Sequence, residues 1–184
     1  MEVLFGTLSI KDHPILQQFN HLWKQVAKDN NSNRNYKQHI ATWYGPVDYK
    51  YTGVIHKAQD MHLEFKEIAK DLEDEFNFSK GYFNSLLINL YTNKGIAPHA
   101  DNEPIFLHKD KTIGAVATIS LGEKATVTIT SNDNSIPPNS IITSNSTYYI
   151  MPAGHFQNTH KHSVSASQGR RISLTFRHVP KENK

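Results

Sequence analysis

LLINLY (86–91), TIGAVATISL (112–121), ATVTIT (125–130), STYYIMP (146–152) and RISLTFRHV (171–179) are short runs rich in β-branched and aromatic residues. Clusters of Gly, Pro, Asn and Ser separate them, the punctuation of an antiparallel sandwich or barrel. Upstream of Ser85 the texture changes. Met61, Phe65, Ile68, Leu72 and Phe76 recur at helical spacing. Ile15, Leu16, Phe19, Leu22, Trp23 and Val26 form an earlier helical stripe, which Pro14 opens and Asp12 can cap. Between the helices a polar stretch, Asp29 to Asn35, leads into IATWYG (40–45) and DYKYTGVI (48–55). These read as two strands or a hairpin around Gly45 and Pro46. SNDNSIPPNS (131–140) reads as a mobile loop and KENK (181–184) as a frayed tail. The layout is an α+β chain, mainly β, with two helices ahead of a β core.

At 184 residues and 38% hydrophobic content, the chain can bury one substantial core, and neither an internal repeat nor a linker marks a second domain. The net charge of +3 is compatible with a polyanionic partner without requiring one. Cysteine is absent, which excludes a disulfide framework, a thiolate zinc site and a cysteine nucleophile. Any metal must rest on carboxylates and on some of the eleven histidines. The start, MEVLFGTLSIKDHP, lacks the basic and apolar pattern of a secretion signal, and no later run reaches membrane-spanning length. A soluble, cytoplasmic, non-secreted protein is the expectation.

The chemistry begins at His99-Ala100-Asp101. Residues two apart on an extended strand share a face and can grip one ion, although a surface loop after Pro98 would read the same way. An iron site of two histidines and one carboxylate leaves half an octahedron open, so a third ligand must come from elsewhere in the chain. HFQNTHKHSV (155–164) offers His155, His160 and His162, and spacing does not choose among them. Arg171 and Arg177 are an even number of residues apart and project from one face of their strand. Two inward guanidinium groups call for anions, and a dicarboxylate would satisfy them through bidentate pairing. An exposed basic edge is the alternative. Against it, Arg177 lies among Leu174, Phe176 and Val179, in a strand too apolar to be wholly exposed.

Taken in order, NLY (89–91), PHADNEP (98–104), HKHSV (160–164) and RISLTFR (171–177) resemble the signature of the AlkB-like nucleic-acid demethylases, within the 2-oxoglutarate oxygenase superfamily. The resemblance covers about Ser85 to His178 well and the N-terminal half loosely. It implies a double-stranded β-helix, or jelly roll, with the two helices packed on one sheet. It also divides a single 1–184 domain into helices and a nucleotide-recognition lid (1–80), the catalytic core (81–179) and a tail (180–184). His162, followed by a small and an aliphatic residue, becomes the third iron ligand beside His99 and Asp101. Fe(II) and 2-oxoglutarate, with O2, become the cofactors. Asn89, Tyr91 and Ser173 would line the cosubstrate site, Arg177 would hold its distal carboxylate, and Arg171 would lie near its metal-bound end, close to Asp101.

The implied reaction is oxidative removal of N-alkyl groups from bases in DNA or RNA, releasing formaldehyde, succinate and CO2. Hydroxylation of a protein or small molecule by the same chemistry is the alternative. A base must leave a duplex before it can reach a buried metal. TWYGPVDYKY (42–51) resembles the family's lid, with Trp43, Tyr49 and Tyr51 as base contacts and Glu103 facing the base edge. Alternating aromatics also pack commonly on sheets, and Glu103 could face solvent. Ser173 stands where many cellular members carry asparagine, and no duplex-probing loop is recognisable. The compact chain is most similar to viral or phage members. The expectation is therefore a monomer acting on methylated single-stranded DNA or RNA, in the host cytoplasm if viral, without a membrane partner.

Overall fold

The structure, a computed structural model, describes residues 2–8, 13–30, 39–51 and 53–183, without the side chains of His39, Tyr51 and Asn183. Among the described residues twelve strands form, in chain order β1 (Leu4–Thr7), β2 (His39–Tyr44), β3 (Tyr49–Tyr51), β4 (Val54–His56), β5 (Ser85–Thr92), β6 (Ile96–His99), β7 (Val116–Gly122), β8 (Ala125–Ser131), β9 (Asn139–Thr143), β10 (Thr147–Met151), β11 (His160–Val164) and β12 (Arg170–Arg177). Four helices accompany them: α1 (Pro14–Gln17), α2 (Phe19–Lys28), α3 (Leu63–Glu75) and α4 (Phe156–Thr159).

Antiparallel pairing builds a six-stranded sheet in the order β1-β10-β7-β12-β5-β2 and a four-stranded sheet in the order β6-β11-β8-β9. Side-chain alternation explains both faces of the larger sheet. Ile172, Leu174 and Phe176 of β12, with Leu86, Ile88 and Leu90 of β5, form one core with Leu22 and Val26 of α2 and Phe65, Ile68 and Leu72 of α3. Each of these buried side chains contributes about 1.5–3 kcal/mol of transfer free energy. The intervening residues, Arg171, Ser173, Thr175 and Arg177 on β12 and Leu87, Asn89 and Tyr91 on β5, therefore point to the opposite face. There Val116, Val127, Met151 and Val164 make a second core. Of the polar members of that inner face, Asn89, Tyr91, Arg171, Ser173 and Arg177 are those the sequence singled out, and Thr175 is an addition.

Several local expectations need correction. The first helical stripe is two helices, because the backbone at Gln18 (φ −100°, ψ 55°) is not helical. Asp12, the expected cap, lies outside the described residues. IATWYG and DYKYTGVI do not pair with each other. β2 instead pairs with β5 at the sheet edge, and the hairpin is β3–β4, turning beside Gly53 at φ +77°. The end of SNDNSIPPNS enters β9, and Lys181–Asn183 forms a short 3-10 turn. β1 was not anticipated. No described helix is long and apolar enough to cross a membrane.

Candidate active site

β11 is the strand that assembles the site, because it pairs on one side with β8 and on the other with β6. In that register His162 stands directly opposite His99. Their ring centroids are 4.2 Å apart. Asp101, two residues beyond His99, brings a carboxylate oxygen 3.7 Å from His99 Nε2. One ligand atom from each of His99, Asp101 and His162 lies within 4.8 Å of the others, the donor set of a two-histidine, one-carboxylate iron site. His160 is two residues earlier on β11, opposite Ser131, where its ring stacks on Phe156 at 4.3 Å. His155 is the residue before α4. Neither belongs to the group of potential ligands.

The protonation states suit a divalent metal. His99 Nδ1 donates to the Ala97 carbonyl at 2.9 Å, which fixes the ring so that Nε2 is the nitrogen turned toward Asp101. Burial lowers the His162 pKa to about 4, so that imidazole is neutral at physiological pH and available as a ligand. Burial raises the Asp101 pKa, but Arg177, His162 and His99 outweigh it and the net shift is downward. The carboxylate stays ionised.

Arg177 is the neighbour that holds it. Its Nη2 donates to Asp101 Oδ1 at 2.8 Å and its Nη1 to the Tyr49 hydroxyl at 3.1 Å. Burial opposes the guanidinium charge, yet Asp101, Tyr49 and Glu103 together raise its pKa. Tyr49 in turn donates to Glu103 Oε1 at 2.6 Å, closing a chain from Asp101 to the loop that follows it. Glu103 Oε2 is buried and finds no hydrogen-bond partner among the described residues.

Arg171 sits at the other end of β12, opposite Tyr91 of β5 and Gly122 of β7. It is 1% exposed. Its Nη2 donates to Ser120 Oγ at 3.1 Å and its guanidinium lies 5.4 Å from the centre of the Tyr91 ring. Nε and Nη1 have no hydrogen-bond partner among the described residues. A buried cation with two unused donors calls for an anion, because each unsatisfied group costs roughly 1–3 kcal/mol. The expectation that Arg171 lies near Asp101 is thus corrected: Arg177 occupies that place. Strand parity aims both arginines inward but leaves open which of them reaches the metal ligands, and the β6–β11 pairing puts Asp101 at the Arg177 end. Asn89, Ser173 and Thr175, together with Arg177, line a small cavity that also touches His99, Asp101 and His162.

Sequence reasoning missed one supporting residue. Gln157 of α4, itself 2% exposed, accepts the Asp101 backbone N–H through Oε1 at 2.9 Å, and its Nε2 reaches Met151 Sδ at 3.4 Å. No motif marks it. The lid residues are also placed differently from a solvent-facing platform. Trp43 and Tyr49 are both 0% exposed, 4.6 Å apart between ring centres, and pack with Phe106, Leu87 and Val179. Trp43 Nε1 donates to the Val47 carbonyl at 2.8 Å. Tyr51 is described only in its backbone.

A jelly roll with two histidines and an aspartate at its mouth, and buried arginines behind them, is the architecture of a 2-oxoglutarate oxygenase. The family model of the 2OG-Fe(II) oxygenase superfamily matches residues 11–177, and the chain belongs to that superfamily. It is a dioxygenase using Fe(II), 2-oxoglutarate and O2. Among solved structures, OsALKBH1 superimposes with a TM-score of 0.69 over 96% of this chain and 97% of that one, at 15% identity, a likeness of fold. The RNA replication protein of Grapevine virus A (isolate Is 151) is 31% identical over 131 residues, and that of Papaya mosaic potexvirus 30% identical over 151. These matches cover 71% and 77% of this chain but span only 7% and 9% of the viral proteins.

Proposed function

We propose that the protein removes N-methyl groups from bases of single-stranded RNA, or of DNA presented unpaired. The observation that carries this is Glu103. It sits two residues past an iron ligand, with one oxygen tied to Tyr49 and the other buried and without a partner among the described residues. A buried carboxylate oxygen seeks an N–H donor, which the edge of an adenine or cytosine supplies. The viral relatives are RNA replication proteins, which favours RNA and a site of action in host cytoplasm.

Within this reading, His99, Asp101 and His162 hold Fe(II), which with 2-oxoglutarate and O2 supplies a two-electron oxidation of a C–H bond. Arg171, with two donors unused and its guanidinium beside the Tyr91 ring, would hold the distal carboxylate of 2-oxoglutarate, with Asn89 and Ser173 on the neighbouring cavity wall. Arg177 keeps Asp101 ionised and oriented. Glu103 aligns the base so that its methyl group, rather than its ring, faces the metal, and the enclosing walls keep water out. Once hydroxylated, the N–CH2OH group breaks down to formaldehyde and the parent base without a protein nucleophile.

A second reading, hydroxylation of a protein or small molecule, is favoured by the complete burial of Trp43 and Tyr49, which offer no open ring face for stacking. Oligonucleotides carrying N1-methyladenine or N3-methylcytosine discriminate between the two. Formaldehyde and succinate are expected in equal amounts from the methylated strands, and Asp101→Ala abolishes both. Equal 2-oxoglutarate turnover with methylated and unmethylated strands would contradict demethylation.

A further inference from the structure

On the helix side of the large sheet, a cleft of about 430 Å³ opens between α3, the lid turn at Gly45 and Pro46, and the loop that leads into β5. That volume lies within the usual ~300–1,000 Å³ range of small-molecule sites. Its floor is apolar: Met61, Ala69 and Phe83 are buried members of the helix-side core. Its rim is cationic. Lys66 and Lys70 lie one turn apart on the exposed face of α3, and Lys80 faces them from the loop.

The walls are already tied in place. Gly45 N donates to the Gln59 carbonyl at 3.0 Å, and Gln59 Nε2 donates to the Trp43 carbonyl at 2.8 Å. Both oxygens of Glu73 are engaged by the opposite wall, accepting from Gly81 N at 2.9 Å and Phe83 N at 2.8 Å. Glu73 is thereby spent on structure. Asp60 is the other carboxylate on the lining, against three lysines. Lys70 approaches Asp74 at 3.9 Å, an exposed pair too weak to withhold it from a ligand.

The position matters as much as the chemistry. Gly45 and Pro46 lie inside the turn that the Trp43–Val47 hydrogen bond closes. Trp43 and Val47 pack in the core behind the iron site, whereas Gly45 and Pro46 bound the cleft. One turn of chain separates the two. An apolar floor ringed by cations fits a base with its phosphates, and the turn that bounds this cleft runs directly into the core that holds Tyr49.

We propose that this cleft is a second subsite, which takes a nucleotide flanking the target on a single strand. The flanking base rests on Met61, Ala69 and Phe83, and its phosphates meet Lys66, Lys70 and Lys80. The inference rests on the nucleic-acid reading given above. It assigns the lysines to strand affinity and leaves the chemical step to the iron site.

The test uses the full chain with Lys66, Lys70 and Lys80 all changed to Gln, beside a control in which Lys28, Lys94 and Lys124 are changed to Gln. Demethylation is measured on a methylated 12-nucleotide strand over a range of salt, and on the methylated nucleoside alone. For the cleft variant KM for the strand should rise about tenfold or more, with kcat and nucleoside turnover unchanged. The slope of log affinity against log salt should flatten by about 2, for three lost contacts at about 0.7 each. The control should match wild type. Equal losses in both variants would mean that only net charge is read, and a cleft variant with wild-type KM and slope would remove the subsite while leaving demethylation standing. Absence of demethylation by wild type would remove both.

Discussion

Arg177 Nη2 lies 2.8 Å from Asp101 Oδ1, and both side chains are almost wholly buried. The arginine at the end of β12 therefore helps keep the Asp101 carboxylate charged, and Arg171 is left as the buried cation with donors to spare. The two arginines, six residues apart on one strand face, meet different partners, and substitutions should separate their effects.

Replacing Arg177 by Leu leaves Asp101 as a buried charge without its partner. The expected cost is about 3–5 kcal/mol of folding stability, together with weakened metal binding. Thermal melts and a Mn(II) titration check both. Wild-type metal affinity in a folded R177L protein would contradict this role.

Replacing Arg171 by Met should act on the cosubstrate alone. Mn(II) affinity should stay near wild type, while KM for 2-oxoglutarate rises by about one to two orders of magnitude, the loss expected when a charge-assisted pair of about 1.5–3 kcal/mol disappears. Steady-state kinetics with varied 2-oxoglutarate give the answer. The same experiment on R177L would show the larger cosubstrate effect if the arginine roles were reversed.

Gln157 fixes the backbone of Asp101 from α4. Changing it to Leu removes the acceptor and leaves the Asp101 N–H buried and unpaired, at about 1–3 kcal/mol. Metal affinity should fall about 10- to 100-fold, as for other groups that orient a ligand. Calorimetric Mn(II) titration beside a melt tells orientation from bulk stability: a lower Tm with unchanged affinity would assign Gln157 a packing role only.

Acid should destabilise the metal-free protein in a defined window. The folded-state pKa of His162 is about 4, below its usual 6.5, so the unfolded chain takes up this proton first as pH falls. Stability present above pH 6.5 is lost progressively down to about pH 4, by roughly 3 kcal/mol in all. The lowered pKa of Asp101 adds a further loss only below the ordinary carboxylate range, where the unfolded chain is protonated before the folded one. Chemical denaturation at several pH values should show this slope in wild type and a shallower one in His162→Asn. A slope unchanged by that substitution would assign the acid sensitivity to other groups.

The β core and both amphipathic stripes were legible because period-2 and period-3.6 patterns survive in the residues that pack. Ile172, Leu174 and Phe176 alternate with Arg171, Ser173 and Arg177 in the sequence as they do in space. β1 was hidden because LFGT carries no clear alternation. The β3–β4 turn was misplaced because Gly45-Pro46 is as strong a turn signal as the residues around Gly53. For the site, residue types were visible but convergence was not. The choice of His162 over His160 depends on strand register opposite His99, which no spacing within HKHSV encodes. The exchange of arginine roles and the contact from Gln157 likewise depend on how the smaller sheet meets the larger. That is a property of the assembled fold.

The most direct measurement is an anaerobic crystal structure with Mn(II) and 2-oxoglutarate. The account predicts one metal ion bound by His99, Asp101 and His162, with the distal carboxylate of 2-oxoglutarate paired to Nε and Nη1 of Arg171 while Arg177 keeps its contact with Asp101. A metal held by another set of residues, or a distal carboxylate seated on Arg177, would contradict it.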